Sequence, residues 1–111
     1  MSKERRLGRA QEQVLQALAN GAKYGFEIMD GADLPSGAVY PALARLERLG
    51  FVRSRWENAA TAEREKRPRR RYYAVTAAGT KTLTQIAAQY REFHRAMPKA
   101  VRLRENLNEK F

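Results

Sequence analysis

Between positions 64 and 71 stand six basic residues, Arg64, Lys66, Arg67, Arg69, Arg70 and Arg71, with Glu65 the one acid among them. A same-sign cluster repels itself unless something neutralises it, so the chemistry it suits is the binding of a polyanion. The whole chain points the same way: its formal charge of +10 and pI of about 10.5 favour nucleic acid or an anionic membrane surface. Binding of that kind weakens steeply with salt, through counterion release. Catalysis has little to work with. The chain has a single histidine, His94, close to Arg91 and Arg95, and no cysteine; no Gly-rich phosphate cradle and no carboxylate pair in an apolar setting appear. The expectation is a protein that is not an enzyme and carries no metal or cofactor, with His94 at a surface or interface. The absence of cysteine also rules out a disulfide framework and suits a reducing cytosol. The opening Met1-Ser2-Lys3-Glu4-Arg5-Arg6 leads into no apolar run, so the sequence reads as soluble and cytoplasmic, without a membrane span.

The elements that would position the basic cluster follow from periodicity. Residues 1–8 read as a loose basic arm. Ala10, Val14, Leu15 and Leu18 line one face of a helix over 9–20, which Asn20-Gly21 stops. A short helix through Tyr24, Ile28 and Met29 ends at Asp30-Gly31, and a turn follows through Asp33-Leu34-Pro35. Ser36 is the expected N-cap of a third helix, residues 36–49, whose Val39, Leu43, Leu46 and Leu49 form an amphipathic stripe. Pro41 is expected in its opening turns, where a missing N–H costs least.

The period then changes from helix to strand. Phe51 to Trp56 alternates, with Val52, Ser54 and Trp56 on one side, and Trp56 is expected to cover the edge of the core. Residues 57–70 are polar and contain Pro68, which predicts a long loop. Residues 71–76 are rich in aromatic and β-branched types, a second strand with Tyr73 and Val75 packing inward. Thr76 then caps a long helix on which Leu83, Ile86, Tyr90 and Phe93 recur as a coiled-coil-like stripe, expected to belong to an interface. Pro98 should kink or end it, with Val101, Leu103 and Leu107 in a charged tail. Tyr72, Tyr73, Tyr90, Phe93 and Trp56 could also be read as a stacking platform for single strands, but packing roles suit most of them better.

The predicted fold is therefore mostly α with a small β-hairpin: a winged helix-turn-helix over 1–76 and a C-terminal dimerisation helix with its tail over 77–111. The third helix has the width of a major groove, and the cationic loop between two strands is what a wing needs to lie along phosphates. The expected wing contacts are Arg64, Lys66, Arg67, Arg69 and Arg70.

Five stretches form a recognisable combination: Tyr24-Gly25-Phe26-Glu27-Ile28, Leu34-Pro35-Ser36-Gly37-Ala38-Val39-Tyr40-Pro41-Ala42-Leu43, and Arg45-Leu46-Glu47-Arg48-Leu49-Gly50-Phe51-Val52. Ser54-Arg55-Trp56-Glu57 and Arg70-Arg71-Tyr72-Tyr73-Ala74-Val75-Thr76-Ala77-Ala78-Gly79 complete it. In these stretches the sequence resembles the PadR family of bacterial regulators. The resemblance implies a homodimer that represses transcription from palindromic double-stranded operators, the final helix exchanging with its partner; the stripe of Leu83, Ile86, Tyr90 and Phe93 is the expected dimer interface. The resemblance further implies DNA contacts from Ser36, Gly37 and Tyr40, with Gly37 allowing close backbone approach, and Arg45 joins them as a candidate. Many members release DNA on binding a small aromatic effector. Two departures stand out: the wing is long and unusually basic, and the C-terminal part is short and lacks tryptophan, which argues against a flat aromatic drug sandwich. Three other readings stay open. One is a winged-helix module that binds a protein partner, another a regulator that needs no ligand. The third, a membrane-surface binder, ranks last because the final helix has no strongly basic face opposite a broad apolar one.

Overall fold

The computed structural model describes residues 6–97; positions 1–5 of the expected arm and the tail from Pro98 lie outside the described residues. Helix α1 (Arg9–Ala19) buries Val14, Leu15, Ala17 and Leu18, and ends at Asn20, ahead of Gly21 at φ 112°. Helix α2 (Gly25–Ala32) buries Ile28 and Ala32 and runs past the expected stop at Asp30-Gly31. The terminator is Asp33, which takes the left-handed conformation (φ 55°), a region that Asp tolerates better than most residues. Its N–H closes onto the last carbonyls of the helix.

Helix α3 (Ser36–Arg48) turns Val39, Ala42, Leu43 and Leu46 inward. Its N-cap is Pro35, not Ser36: the ring fixes Pro35 in an extended conformation (φ −74°, ψ 164°), and its carbonyl accepts from the N–H groups of Ala38 and Val39, both at 3.0 Å. Ser36 is the first helical residue. Pro41 therefore lies deeper than the opening turn, where its missing N–H removes the bond that the Gly37 carbonyl would accept. The helix continues regardless, held by its buried stripe.

Strands β1 (Val52–Trp56) and β2 (Arg71–Val75) pair antiparallel, from Val52 opposite Val75 to Trp56 opposite Arg71. Alternation gives the ribbon two faces. Val52, Ser54, Trp56, Arg71, Tyr73 and Val75 share the inner face, and Arg53, Arg55, Tyr72 and Ala74 the outer one. The segment between the strands is not the expected open loop. It contains a short helix, α4 (Ala59–Arg64), capped by the Asn58 side chain on the Ala60 N–H (2.8 Å) and seated by buried Ala62.

Helix α5 (Ala77–Ala96) begins as the sequence predicts. Thr76 Oγ1 accepts from the Gly79 N–H (3.1 Å), and its hydroxyl donates to the Gly50 carbonyl (2.6 Å). Gly79 lies so close to the Phe51 carbonyl that any Cβ there would overlap it. The start of α5 is thereby keyed to the base of the hairpin.

The core gathers Leu15, Ile28, Val39, Leu43, Leu46 and Phe51, all fully buried, from α1, α2, α3 and the entry to β1. Each such side chain contributes roughly 1.5–3 kcal/mol on burial. Tyr73, Val75 and Leu83 pack on its margin. The far half of α5 leaves this body: the radius of gyration is 16.7 Å, against about 12–13 Å for a compact chain of this length. No helix among the described residues is long and apolar enough to cross a membrane.

Candidate nucleic-acid interface

On α3, the face opposite the buried stripe carries Gly37, Tyr40, Pro41, Ala44 and Arg48, all exposed, with Ser36 beside them. Apart from Tyr40 and Arg48 these side chains are small, so a partner surface can approach the backbone. Tyr40 packs its hydroxyl against Gly25, where a Cβ would collide with it. This contact fixes the direction of the phenol at the junction of α2 and α3.

Of the four α3 residues expected at the interface, Ser36, Gly37 and Tyr40 are open to solvent. Arg45 is not on that face. It is half-buried on the flank toward α1, where its guanidinium donates to Gln11 Oε1 and to the Arg6 carbonyl (3.1 Å). Its visible role is to tie α3 to α1. The exposed cation of this helix is Arg48, which the sequence reading missed, although its helical phase opposite the stripe was the available signal.

The wing arginines divide in a similar way. Arg64, Lys66 and Arg69 are exposed. Arg67 is spoken for within the fold: its two terminal nitrogens lie 2.7 Å from the two carboxylate oxygens of Glu57, and it also pairs with Glu65 at 2.7 Å. Arg70 is half-buried, its guanidinium 4.0 Å from the Tyr24 ring centroid. Arg71, at the start of β2, is exposed and held by Ser54 Oγ (2.9 Å) and Glu47 (3.4 Å).

Glu57 organises this wing. Besides Arg67, its carboxylate accepts from the Tyr72 hydroxyl (3.1 Å) and the Arg70 N–H (3.3 Å). Its carbonyl accepts from Arg69 Nε (3.0 Å), and its own N–H donates to the Arg70 carbonyl (2.8 Å). The hydrogen bonds from Arg67 outweigh the cost of burial and hold the Glu57 carboxyl down to about 2. A folded-state value below the ordinary 4.5 means that this contribution to stability is complete above about pH 4.5 and is lost as pH falls toward about 2. Urea unfolding across that window is expected to show the gap between the native chain and Glu57→Gln closing as acid is added. A gap independent of pH would contradict it.

Between α3 and the inner face of the hairpin lies an open cleft of about 360 Å³, lined by Tyr24, Tyr40, Trp56, Arg69, Arg71 and Tyr73 among others. Trp56 does not cover the core edge as expected. It keeps the inward phase of Val52, but β1 outruns the core, leaving the indole 55 % exposed in the cleft.

The interface stripe on α5 is split. Leu83 packs against the chain's own core and Ile86 is half-buried, whereas Tyr90 and Phe93 are 57 % and 63 % exposed. His94 stacks on Tyr90, with ring centroids 5.9 Å apart.

The comparisons with known proteins agree with this architecture. Residues 14–85 match the model of the transcriptional regulator PadR-like family. A PadR family transcription regulator from Clostridium difficile is 25% identical, with a TM-score of 0.70 over 81% of this chain and 95% of that one. A transcriptional regulator from Clostridium thermocellum is 26% identical, with a TM-score of 0.60 over 77% and 85% of the two chains. A Bordetella bronchiseptica regulator, BpsR, whose DNA binding is regulated by 6-hydroxynicotinic acid, is 13% identical; its TM-score of 0.71 over 99% of this chain and 81% of that one shows a shared fold. No curated protein matches the chain. The family match spans the helix-turn-helix, the hairpin and the start of α5, and the chain belongs to the PadR-like family of transcriptional regulators, which are not enzymes.

Proposed function

We propose that two copies of this chain pair through α5 and repress transcription by gripping a palindromic stretch of double-stranded DNA. The observation that carries the reading is the alignment of two surfaces: the small-residue face of α3 and the cationic inner edge of the hairpin border one cleft. In this arrangement the first turns of α3 enter the major groove, with Ser36, Gly37 and Tyr40 toward base edges and Arg48 near the backbone. Arg64, Lys66, Arg69 and Arg71 meet phosphates, while Arg67 and Arg70 hold the wing in shape. Arg45 positions α3 from behind. Residues 1–76 act as the DNA-reading unit and 77–111 as the pairing unit.

Pairing is supported by the exposed Tyr90 and Phe93 on a helix that leaves the body of the fold. A two-fold pair presents two recognition helices about one DNA turn apart, roughly 34–36 Å, and so calls for a two-fold operator. The Bordetella regulator's control by a small aromatic acid supports an effector step here as well, tested by thermal-shift screening of aromatic acids followed by DNA release.

The division of labour is tested by salt-titrated binding to a duplex selected from random sequence, with random duplex and heparin as competitors. Arg69→Ala with Arg71→Ala removes four cations from the pair and is expected to weaken binding to every duplex and reduce the salt slope by about four. Ser36→Ala with Tyr40→Phe should leave the slope intact and erode the preference for the selected duplex, by about tenfold or more. Equal behaviour of the two variants would contradict the reading. Heparin competing as well as the selected duplex would favour a protein-binding module instead.

A further inference from the structure

Trp56 is the largest aromatic side chain of the molecule, yet it is more exposed than covered, in a cleft lined by cations. It is not a lone exposed side chain: Phe26 and Tyr40, also exposed, and Tyr73 line the same cleft, and a contiguous apolar patch of this kind marks an interaction site. Its surroundings indicate what binds there. The Arg69 and Arg71 guanidinium carbons lie over the indole, 5.6 and 5.7 Å from its ring centroid, so an apolar plate carries two cations close by. Both are held: Arg69 by the Glu57 carbonyl at 3.0 Å, Arg71 by Ser54 Oγ at 2.9 Å. The phenol of Tyr40 lines the same cleft from the α3 side.

A plate with two cations close by complements a strand in which anionic phosphates alternate with sugars that offer C–H faces. Its place in the fold selects the same partner. The cleft separates the helix that would read a major groove from the wing that would lie over the adjoining minor groove. What lies between those grooves on a duplex is a sugar–phosphate strand. Resting on the proposed duplex binding, we infer that one DNA strand seats in this cleft, with Trp56 packed on a deoxyribose and Arg69 and Arg71 holding the phosphates around it. The contact is indifferent to base identity, so it sets the depth of α3 in its groove on any sequence.

Trp56 is the sole tryptophan of the chain, so its intrinsic fluorescence reports on this site alone. The test titrates the full chain with a mixed-sequence duplex of about three helical turns at low salt. Binding is followed in parallel by anisotropy of the same duplex carrying an end label. Fluorescence is expected to change and to saturate with the anisotropy. Trp56→Ala should keep the fold, judged by circular dichroism, and lose about tenfold in affinity with an unchanged salt slope. Binding by anisotropy with silent fluorescence and an undiminished Trp56→Ala variant would overturn the inference while leaving duplex binding intact. No binding of any duplex would overturn both. A fluorescence change driven by aromatic acids but not by DNA would reassign the cleft to a small ligand.

Discussion

Replacing Glu57 with alanine is expected to weaken DNA binding by about tenfold or more, even though the change makes a cationic wing more cationic. Charge alone predicts the opposite sign, since removing an acid beside a phosphate backbone should tighten binding. The geometry predicts weakening because the Glu57 carboxylate holds much of what shapes the wing: Arg67 through both oxygens, the Tyr72 hydroxyl and the Arg70 N–H, beside the backbone carbonyl on which Arg69 rests. Without the carboxylate, Arg67 loses its fork, and the segment from α4 to β2 loses the bonds that fold it back on the hairpin. Arg69 then samples many positions and pays an ordering cost on meeting DNA. Anisotropy titration at several salt concentrations measures the effect. Glu57→Gln guards against simple unfolding, because it keeps the shape and some hydrogen bonds while dropping the charge, and should fall between the native chain and alanine. Arg67→Lys is expected to resemble Glu57→Gln, since a lysine keeps the charge but cannot make two parallel bonds. Tighter binding by both Glu57 variants would sink the positioning role.

The second large effect is expected from the double substitution Tyr90→Ser with Phe93→Ser. Both side chains are exposed in the single chain, so their loss should leave the fold of residues 6–97 intact. What disappears is the apolar surface on which two copies would meet. Light scattering after size-exclusion chromatography should then give a monomer, and affinity for a two-fold duplex should fall by about a hundredfold or more. The second half-site is no longer delivered at high effective concentration. Binding to a single half-site should be nearly unchanged. A variant that remains a dimer would place the pairing surface elsewhere, and a dimer lost without loss of affinity would break the link between pairing and two-fold recognition.

Much of this molecule was legible because its main elements announce themselves by period. The stripe of α3, the alternation of β1 and the cap at Thr76 are local patterns, and the structure follows them. The misses share a different cause, since each depends on a partner distant in sequence. Arg45 turns inward because Gln11 and the Arg6 carbonyl wait on α1. Glu57 is buried because Arg67 comes round to meet it, and one acid among three in a polar stretch gives no hint of that. Trp56 has the phase expected of it, but nothing in the alternation says how far the core extends beneath a strand. Helix α4 escaped notice because it is six residues long with one buried residue, too short for a period to show. Its one readable sign was Asn58 ahead of an alanine-rich run, a helix start by capping preference. Leu83 falls in phase with the α5 stripe yet packs at home, because the first turns of that helix still lie over the core.

The chain lacks cysteine, so a cysteine introduced at position 48 would be its only thiol, on the exposed face of α3. Coupling an iron chelate there and triggering radical cleavage on the selected duplex tests most directly whether α3 lies against DNA. Two short clusters of cuts, symmetric about the centre of the site and about one helical turn apart, are the predicted result. Cuts scattered along the duplex, or none while the labelled protein remains bound, would contradict the account.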